Sequence, residues 1–501
     1  MAKHFLTPRT MKTDTAMAVF SASPARWPLL PLAAIFGSAL LSACSPLAPN
    51  YQRPALEMPA SLGAQGAAQT AVQWPQWWKT LQDPALDRLL AEAQANNQDM
   101  ALAAARIQEA RANVAVSNSN HYPTLDGNFG ASRVRSSTTT GKLPAGVNPI
   151  AKDVQLGITA AYEVDFWGKH NRGDDAARGR LLAQEGSRAL VQSSLMAEIA
   201  QRYCALRAYD AQLAVADTLF KSRQENLRLQ QKRFTAGVIG ELELNQAKAE
   251  LSNAETALTQ ARQSVASTEV ALALLAGRSP AAISNPQIAR GASIDALYQR
   301  LSVPADLPSS LLQRRPDIIS AEQNLIAANA DIAQARAQYF PAIKLTGTYG
   351  RDSKSLSDLF NPGALIWSLA TSVTQPLLRA GAIDAVVQGS EARKAQATAQ
   401  YVQSVQSAFR DVHDALTNLE ANQQVQAQSA SKLATQQQSR RLAKLRFDQG
   451  YSSGVDMLNA ERDLLQVQSS LIDSERTHLQ AMVALYKAMG GGWDGQGIEL
   501  K

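Results

Sequence analysis

The feature that most constrains this chain is a seven-residue apolar repeat that runs out, turns, and returns. Ile199, Leu206, Leu213, Phe220, Leu227 and Phe234 form one run, and Leu244, Leu251, Leu258, Val265 and Leu272 a second. Between them lies Thr235-Ala236-Gly237-Val238-Ile239-Gly240, a glycine-bearing turn. A strict heptad keeps one seam of a helix facing its partner and imposes a left-handed supercoil. Two long antiparallel helices packed side by side are therefore expected. Ala247, Ala254 and Ala261 follow the second run's leucines by three residues and let a neighbour approach closely. The hairpin recurs. Arg233-Phe234-x-x-Gly237 returns as Arg446-Phe447-x-x-Gly450, and Leu458, Leu465, Ile472, Leu479 and Tyr486 repeat the heptad. The chain reads as a tandem duplication.

The rest has to fit that frame. Leu86, Leu89, Leu90 and Ala93 mark a helix from Asp83-Pro84 to about Asn118, and its counterpart runs from Arg314-Arg315-Pro316-Asp317 to Gln338. Tyr122-Pro123 and Phe340-Pro341 end the two alike. Strands follow each helix. Val154, Leu156, Ile158, Ala160, Tyr162, Val164 and Phe166 alternate with polar or small residues, a period-two signal long enough to cross an outer membrane. Its partner is Leu125–Val134. The second copy offers Ile343–Tyr349 and the less regular Trp367–Val373. Four strands cannot close a membrane barrel, and open edges in lipid would leave unpaired N–H and C=O groups. Either the strands are soluble, or several chains share one barrel. Three chains would supply twelve strands, and helices of some 60 residues, roughly 90 Å long, suit a hollow bundle.

Composition narrows the classes. Of 501 residues, 45% are hydrophobic and only 6% aromatic, which suits long, closely packed helices. Half of the formal +6 charge sits in residues 1–43, and no basic stripe interleaved with aromatics appears, so nucleic acid is not an expected partner. Those residues carry Trp27–Leu41, a short apolar core behind Arg26, followed by Ser42-Ala43-Cys44. This describes a secretory signal peptide with a lipobox, acylated at Cys44; an ordinary signal with an incidental cysteine is the alternative. Ser45 fits sorting to an outer membrane. Trp74, Trp77 and Trp78 are expected to pack the lead-in onto the body.

Lipobox Cys44, the tryptophan-rich lead-in, Arg314-Arg315-Pro316-Asp317 and the two Arg-Phe-x-x-Gly turns together resemble the lipoprotein branch of the outer-membrane efflux channels of the TolC and OprM type. The likeness covers Cys44 to about Gly490. It implies a mainly α protein with membrane β: a homotrimer whose twelve-stranded outer-membrane barrel continues into a periplasmic α-helical barrel. It also implies docking on a periplasmic adaptor protein and an inner-membrane pump of the RND type, and passive exit of drugs or other small toxic compounds. No cofactor is implied beyond the lipid on Cys44. The hairpin tips become adaptor-docking elements, carrying Gly237, Gly240, Gly450 and Gly454, and a periplasmic gate with Asp456, Arg233 and Arg446. Asn459 stands where the family has a second gate acid. The implied layout is a signal peptide at 1–43, a lipid-anchored lead-in at 44–83, repeats at 84–300 and 301–490, and a tail at 491–501.

Blander readings stand beside each site. Asp456 near a glycine turn equally suits a helix N-cap. Arg314 and Arg315 suit ion pairing at a helix start, with Asp317 complementing the dipole. His4, His121, His170, His413 and His478 are scattered, without a helical pair at metal-ligand spacing, and His413 and His478 read as solvated helix residues. No phosphate-cradling loop occurs, so no enzyme is expected. A duct for type I protein secretion and a structural coiled-coil lipoprotein tether remain as alternative functions. The strand Val154–Phe166 speaks against the tether.

Overall fold

The computed structural model describes residues 51–58, 74–140, 143–144, 146–301 and 314–493. The leader and Cys44 lie outside the described residues. In chain order the elements are α1 (Pro84–Asn96), α2 (Gln98–Ser119), β1 (Thr124–Arg135), β2 (Ile150–Val164), α3 (Lys169–Thr235) and α4 (Glu241–Leu275). Two short helices follow, α5 (Pro280–Ser284) and α6 (Ile294–Arg300). The second copy is α7 (Pro316–Arg336), β3 (Ala342–Ser353), β4 (Leu365–Thr374), α8 (Ala382–Asp448) and α9 (Gly454–Ala488). The duplication is numerical: α3 and α8 each have 67 residues, α4 and α9 each 35. At 1.5 Å per residue the longer helices reach about 100 Å.

Local chemistry moves some boundaries. The helix expected over 84–118 is broken at Asn97, whose carboxamide oxygen accepts from the N–H groups of Asp99 (2.8 Å) and Met100 (3.2 Å). Its Nδ2 donates to the Leu275 carbonyl at 2.9 Å, tying the break to the end of α4. β2 stops at Val164, short of the expected Phe166, whose N–H turns back to the Val164 carbonyl (2.9 Å). There Asp165 accepts from the N–H of Asn171 at 2.9 Å, and so serves the start of α3. The fourth strand, irregular in sequence, is a ten-residue strand.

The sheet is antiparallel in the order β1-β2-β3-β4. Register sorts its side chains by face. Phe129 lies opposite Leu156, which lies opposite Arg351, and the neighbouring row on that face is Gly127, Ile158, Tyr349 and Trp367. The other face carries rows such as Asp126, Thr159, Thr348 and Ser368. One face is an apolar belt and the other is polar, yet Phe129 (63% exposed), Trp367 (74%) and Leu369 (80%) have no cover among the described residues. Among the described residues, β1 and β4 each have one edge without a partner strand.

The heptad seam of α3 opens towards its tip, while that of α4 is still buried at Leu244 beside the turn. Ile199, Leu206, Leu258, Leu272, Leu479 and Tyr486 are buried, whereas Phe234 is exposed. Ala247 and Ala254 are buried, as close helix approach requires. Trp77 stacks on Tyr486 (5.2 Å between ring centroids) with no exposure, so the tryptophans do fasten the lead-in to the body. Arg53 forks onto Glu322 of α7 at 2.6 and 2.7 Å, and the Tyr51 hydroxyl donates to the same buried carboxylate at 3.0 Å. Arg315 is bound, not free. It reaches Asp317 (2.7 Å), Asp411 of α8 (3.0 Å) and the Ala488 carbonyl (2.9 Å). His413 is exposed as expected, but His478 is not. Helix α6 covers it, placing Tyr298 edge-on at 5.0 Å. A seven-residue helix after a long irregular stretch carries no periodic signal by which that cover could be read.

Candidate functional site

The two hairpin tips are built alike because the same motif closes both. At the first, the N–H of Gly237 bonds to the Phe234 carbonyl (2.9 Å) and that of Val238 to the Arg233 carbonyl (2.9 Å). At the second, Gly450 bonds to Phe447 (2.9 Å) and Tyr451 to Arg446 (2.8 Å). This is the Schellman closure, which needs a left-handed residue after the helix. Gly237 (φ 72) and Gly450 (φ 77) supply it. The Arg-Phe-x-x-Gly motif is thus first a helix stop.

The following helices are capped differently. Gly240 has no side chain to cap with; its N–H donates to Glu243 Oε2 at 3.1 Å and its carbonyl accepts from the Leu244 N–H at 3.4 Å. Ser453 and Asp456 cap reciprocally: the Ser453 hydroxyl accepts from the Asp456 N–H (3.2 Å) while Asp456 Oδ2 accepts from the Ser453 N–H (3.1 Å). Gly454 begins α9 and lies 3.4 Å from the Phe447 ring when given a Cβ. Asp456 is therefore a capping residue whose carboxylate still faces solvent, as does Asn459. Within one chain Arg233 bonds Gln230 (3.4 Å), and among the described residues no ion pair joins Asp456 to Arg233 or Arg446. Around these turns Val238 (63% exposed), Leu242 (68%), Tyr451 (77%) and Val455 (58%) present an apolar surface.

Behind the tips the two hairpins are joined by groups the sequence reading did not single out. Arg223 of α3 is only 3% exposed, and its guanidinium donates to the Leu458 carbonyl of α9 at 3.1 Å. Glu250 of α4 lies 3.6 Å away. One residue earlier, Ser222 donates to Glu461 of α9 (2.6 Å), which also faces Arg440 of α8 at 3.6 Å. All four long helices meet in this network. Its signal was available: Arg223 falls three residues after Phe220, on the seam, where a heptad calls for an apolar side chain.

Elsewhere the fold gathers groups that are far apart in sequence. His121 and His170 come within 6.0 Å at the base of the sheet, and His121 Nε2 contacts Asp174 at 2.8 Å. Among the described residues no group of three His, Cys, Asp or Glu is placed to hold a metal. No helix among them is long and apolar enough to cross a membrane.

The profile of the "Outer membrane efflux protein" family matches residues 89–278 and 307–491, both copies of the repeat. The chain belongs to that family. It is 34% identical over 467 residues to the solvent efflux pump outer membrane protein SrpC of Pseudomonas putida, covering 92% of this chain and 97% of that one. It is 32% identical over 457 residues to the cation efflux system protein CusC of Escherichia coli, covering 90% and 97%. A crystal structure of CusC superposes with a TM-score of 0.77 at 30% identity, over 89% of this chain and all of that one. The open state of the Neisseria gonorrhoeae MtrE outer membrane channel gives 0.78 at 28% identity, covering 90% and 99%. The protein is a transport component, the outer-membrane channel of an efflux system, extending into the periplasm.

Proposed function

We propose that three copies assemble into one exit duct for small toxic compounds, docked through its tips on a periplasmic adaptor and an inner-membrane pump of the RND type. The observation that carries this reading is the sheet. Among the described residues its apolar face is bare, its opposite face is polar, and its two edge strands each have one open edge. Such edges are intolerable in lipid and are satisfied when β1 of one copy pairs with β4 of the next. Twelve strands then enclose a polar lumen. An acyl chain on Cys44 would add a second anchor. The relatives' names divide between solvents and cations, and the apolar-poor, polar sheet face suits a passive wet path for either.

In this reading Asp456 and Asn459 ring the narrow periplasmic end, with Arg233 and Arg446 nearby, and the glycine turns at Gly237, Gly240, Gly450 and Gly454 shape the docking surface. The Ser222–Glu461 and Arg223–Leu458 contacts hold the hairpins together, so opening requires their release. Conductance of the purified protein in planar bilayers tests this. Ser222→Ala combined with Glu461→Gln is expected to raise open conductance or open time several-fold over wild type. Membrane-inserted protein that conducts ions in neither form would support the tether instead.

A further inference from the structure

Charge on the sheet is sorted by face as well as by height. The apolar belt of β2 runs from Val164 to Val154 on one face, about 33 Å along the strand at 3.3 Å per residue, or some 25 Å upright when tilted as barrel strands are. Just beyond it, on the same face and at the end away from the helices, stand Arg133 and its directly opposed partner Lys152, then Arg135 one row further. Their backbone positions lie within about 8 Å of one another by strand geometry. Among the described strand residues, that face carries no acid. Asp126, Asp153, Glu163 and Asp352 all fall on the other face. Arg351, the fourth base of the apolar face, is already used by the β3–β4 loop: it donates to the Asn361 carbonyl (3.1 Å) and sits over the Phe360 ring. Arg133, Arg135 and Lys152 are exposed, and no hydrogen bond or ion pair among the described residues occupies them.

We infer that Arg133, Lys152 and Arg135 form a binding site for the phosphate groups of the glycolipid that makes up the outer leaflet. The inference rests on the apolar face lying in lipid. A solvated base at a strand end needs no partner, but a cluster free of acids, on the lipid side, at the height where the hydrocarbon ends, meets headgroups and nothing else. Guanidinium groups bind phosphate through paired N–H donors, and a lysine adds a point charge. The glycolipid is favoured over phospholipid because this end is distal to the helices, and the helices extend into the periplasm. Arg379 and Lys344, by contrast, lie at the other end of the sheet.

The test uses the full-length protein in detergent, titrated with rough lipopolysaccharide and read by native mass spectrometry. Arg133→Gln, Lys152→Gln and Arg135→Gln together are expected to weaken binding on the order of 100-fold, and each alone about fivefold. Enzymatically dephosphorylated glycolipid should bind wild type no better than the intact glycolipid binds the triple variant. Lys344→Gln on the polar face should bind as wild type. Equal binding by wild type and triple variant, or by phosphorylated and dephosphorylated glycolipid, would overturn the site. Phosphatidylglycerol binding as tightly as the glycolipid would overturn its assignment to the outer leaflet. Co-flotation with liposomes reports separately on the apolar face, and thermal melting of each variant shows that the sheet is intact.

Discussion

At the scale of single residues, two carboxylates carry opposite lessons. Asp456 is exposed and spends one oxygen on its cap, leaving the other free. In the proposed trimer three such charges about 7 Å apart would repel by roughly 2 kcal/mol per pair at an effective dielectric near 20, and so would favour cations between them. Asp456→Asn retains an acceptor for the cap but removes the charge. It should lower cation selectivity, measured as a reversal-potential shift across a salt gradient in planar bilayers; an unchanged potential would leave Asp456 as a cap alone. Glu475 of α9 is 6% exposed and faces Asp295, with Tyr298 and His478 beside it. Burial first and Asp295 second push its carboxyl up to about 7 from 4.5, while burial holds the His478 imidazole below its ordinary value. A raised carboxyl pKa means that folding takes up a proton. The stabilising contribution is therefore complete below about 4.5 and lost as pH rises through about 7. Relative to wild type, Glu475→Gln should gain roughly 1–3 kcal/mol at pH 8 and almost nothing at pH 4, followed by melting temperature. Because His478 titrates in the opposite sense, only the difference between the two proteins isolates Glu475.

At the scale of elements, the four long helices share one ending. Gly237, Gly277, Gly450 and Gly490 all have φ between 72 and 79, each at a Schellman closure. What surrounds them differs. A Cβ on Gly237 meets nothing within 4 Å, whereas one on Gly277 would lie 2.2 Å from the Asn96 carbonyl, at the break between α1 and α2. Gly237→Ala should cost only the left-handed strain, about 1 kcal/mol. Gly277→Ala adds a backbone clash and should cost at least about 3 kcal/mol, visible as a lower denaturation midpoint. Equal destabilisation of the two would show that α1 and α2 yield easily to α4. The motif was legible in the sequence as a turn, but the difference between an open tip and a packed end was not, since Asn96 and Gly277 are distant in the chain.

At the scale of the whole molecule, the unpaired edges of β1 and β4 set the assembly. Chemical cross-linking in detergent should give a species of three chains and none larger, because a closed ring has no remaining edge. A conducting monomer in bilayers would refute the shared barrel. The apolar sheet face, bare in one chain, is consistent with lipid as its solvent, and the helices contribute no span of their own among the described residues.

What the sequence determined by itself was whatever repeats at short range. Heptads gave the paired helices, period two gave the sheet and its faces, and the recurring Arg-Phe-x-x-Gly gave the duplication. Each needs only nearest neighbours along one element, so each survives without knowledge of the fold. The break at Asn97, the burial of His478 under α6, and the meeting of Ser222, Arg223, Glu250, Arg440 and Glu461 were decided by tertiary structure. In every one of these a polar side chain meets a partner more than 20 residues away. A single charged residue has no period from which that partner can be read.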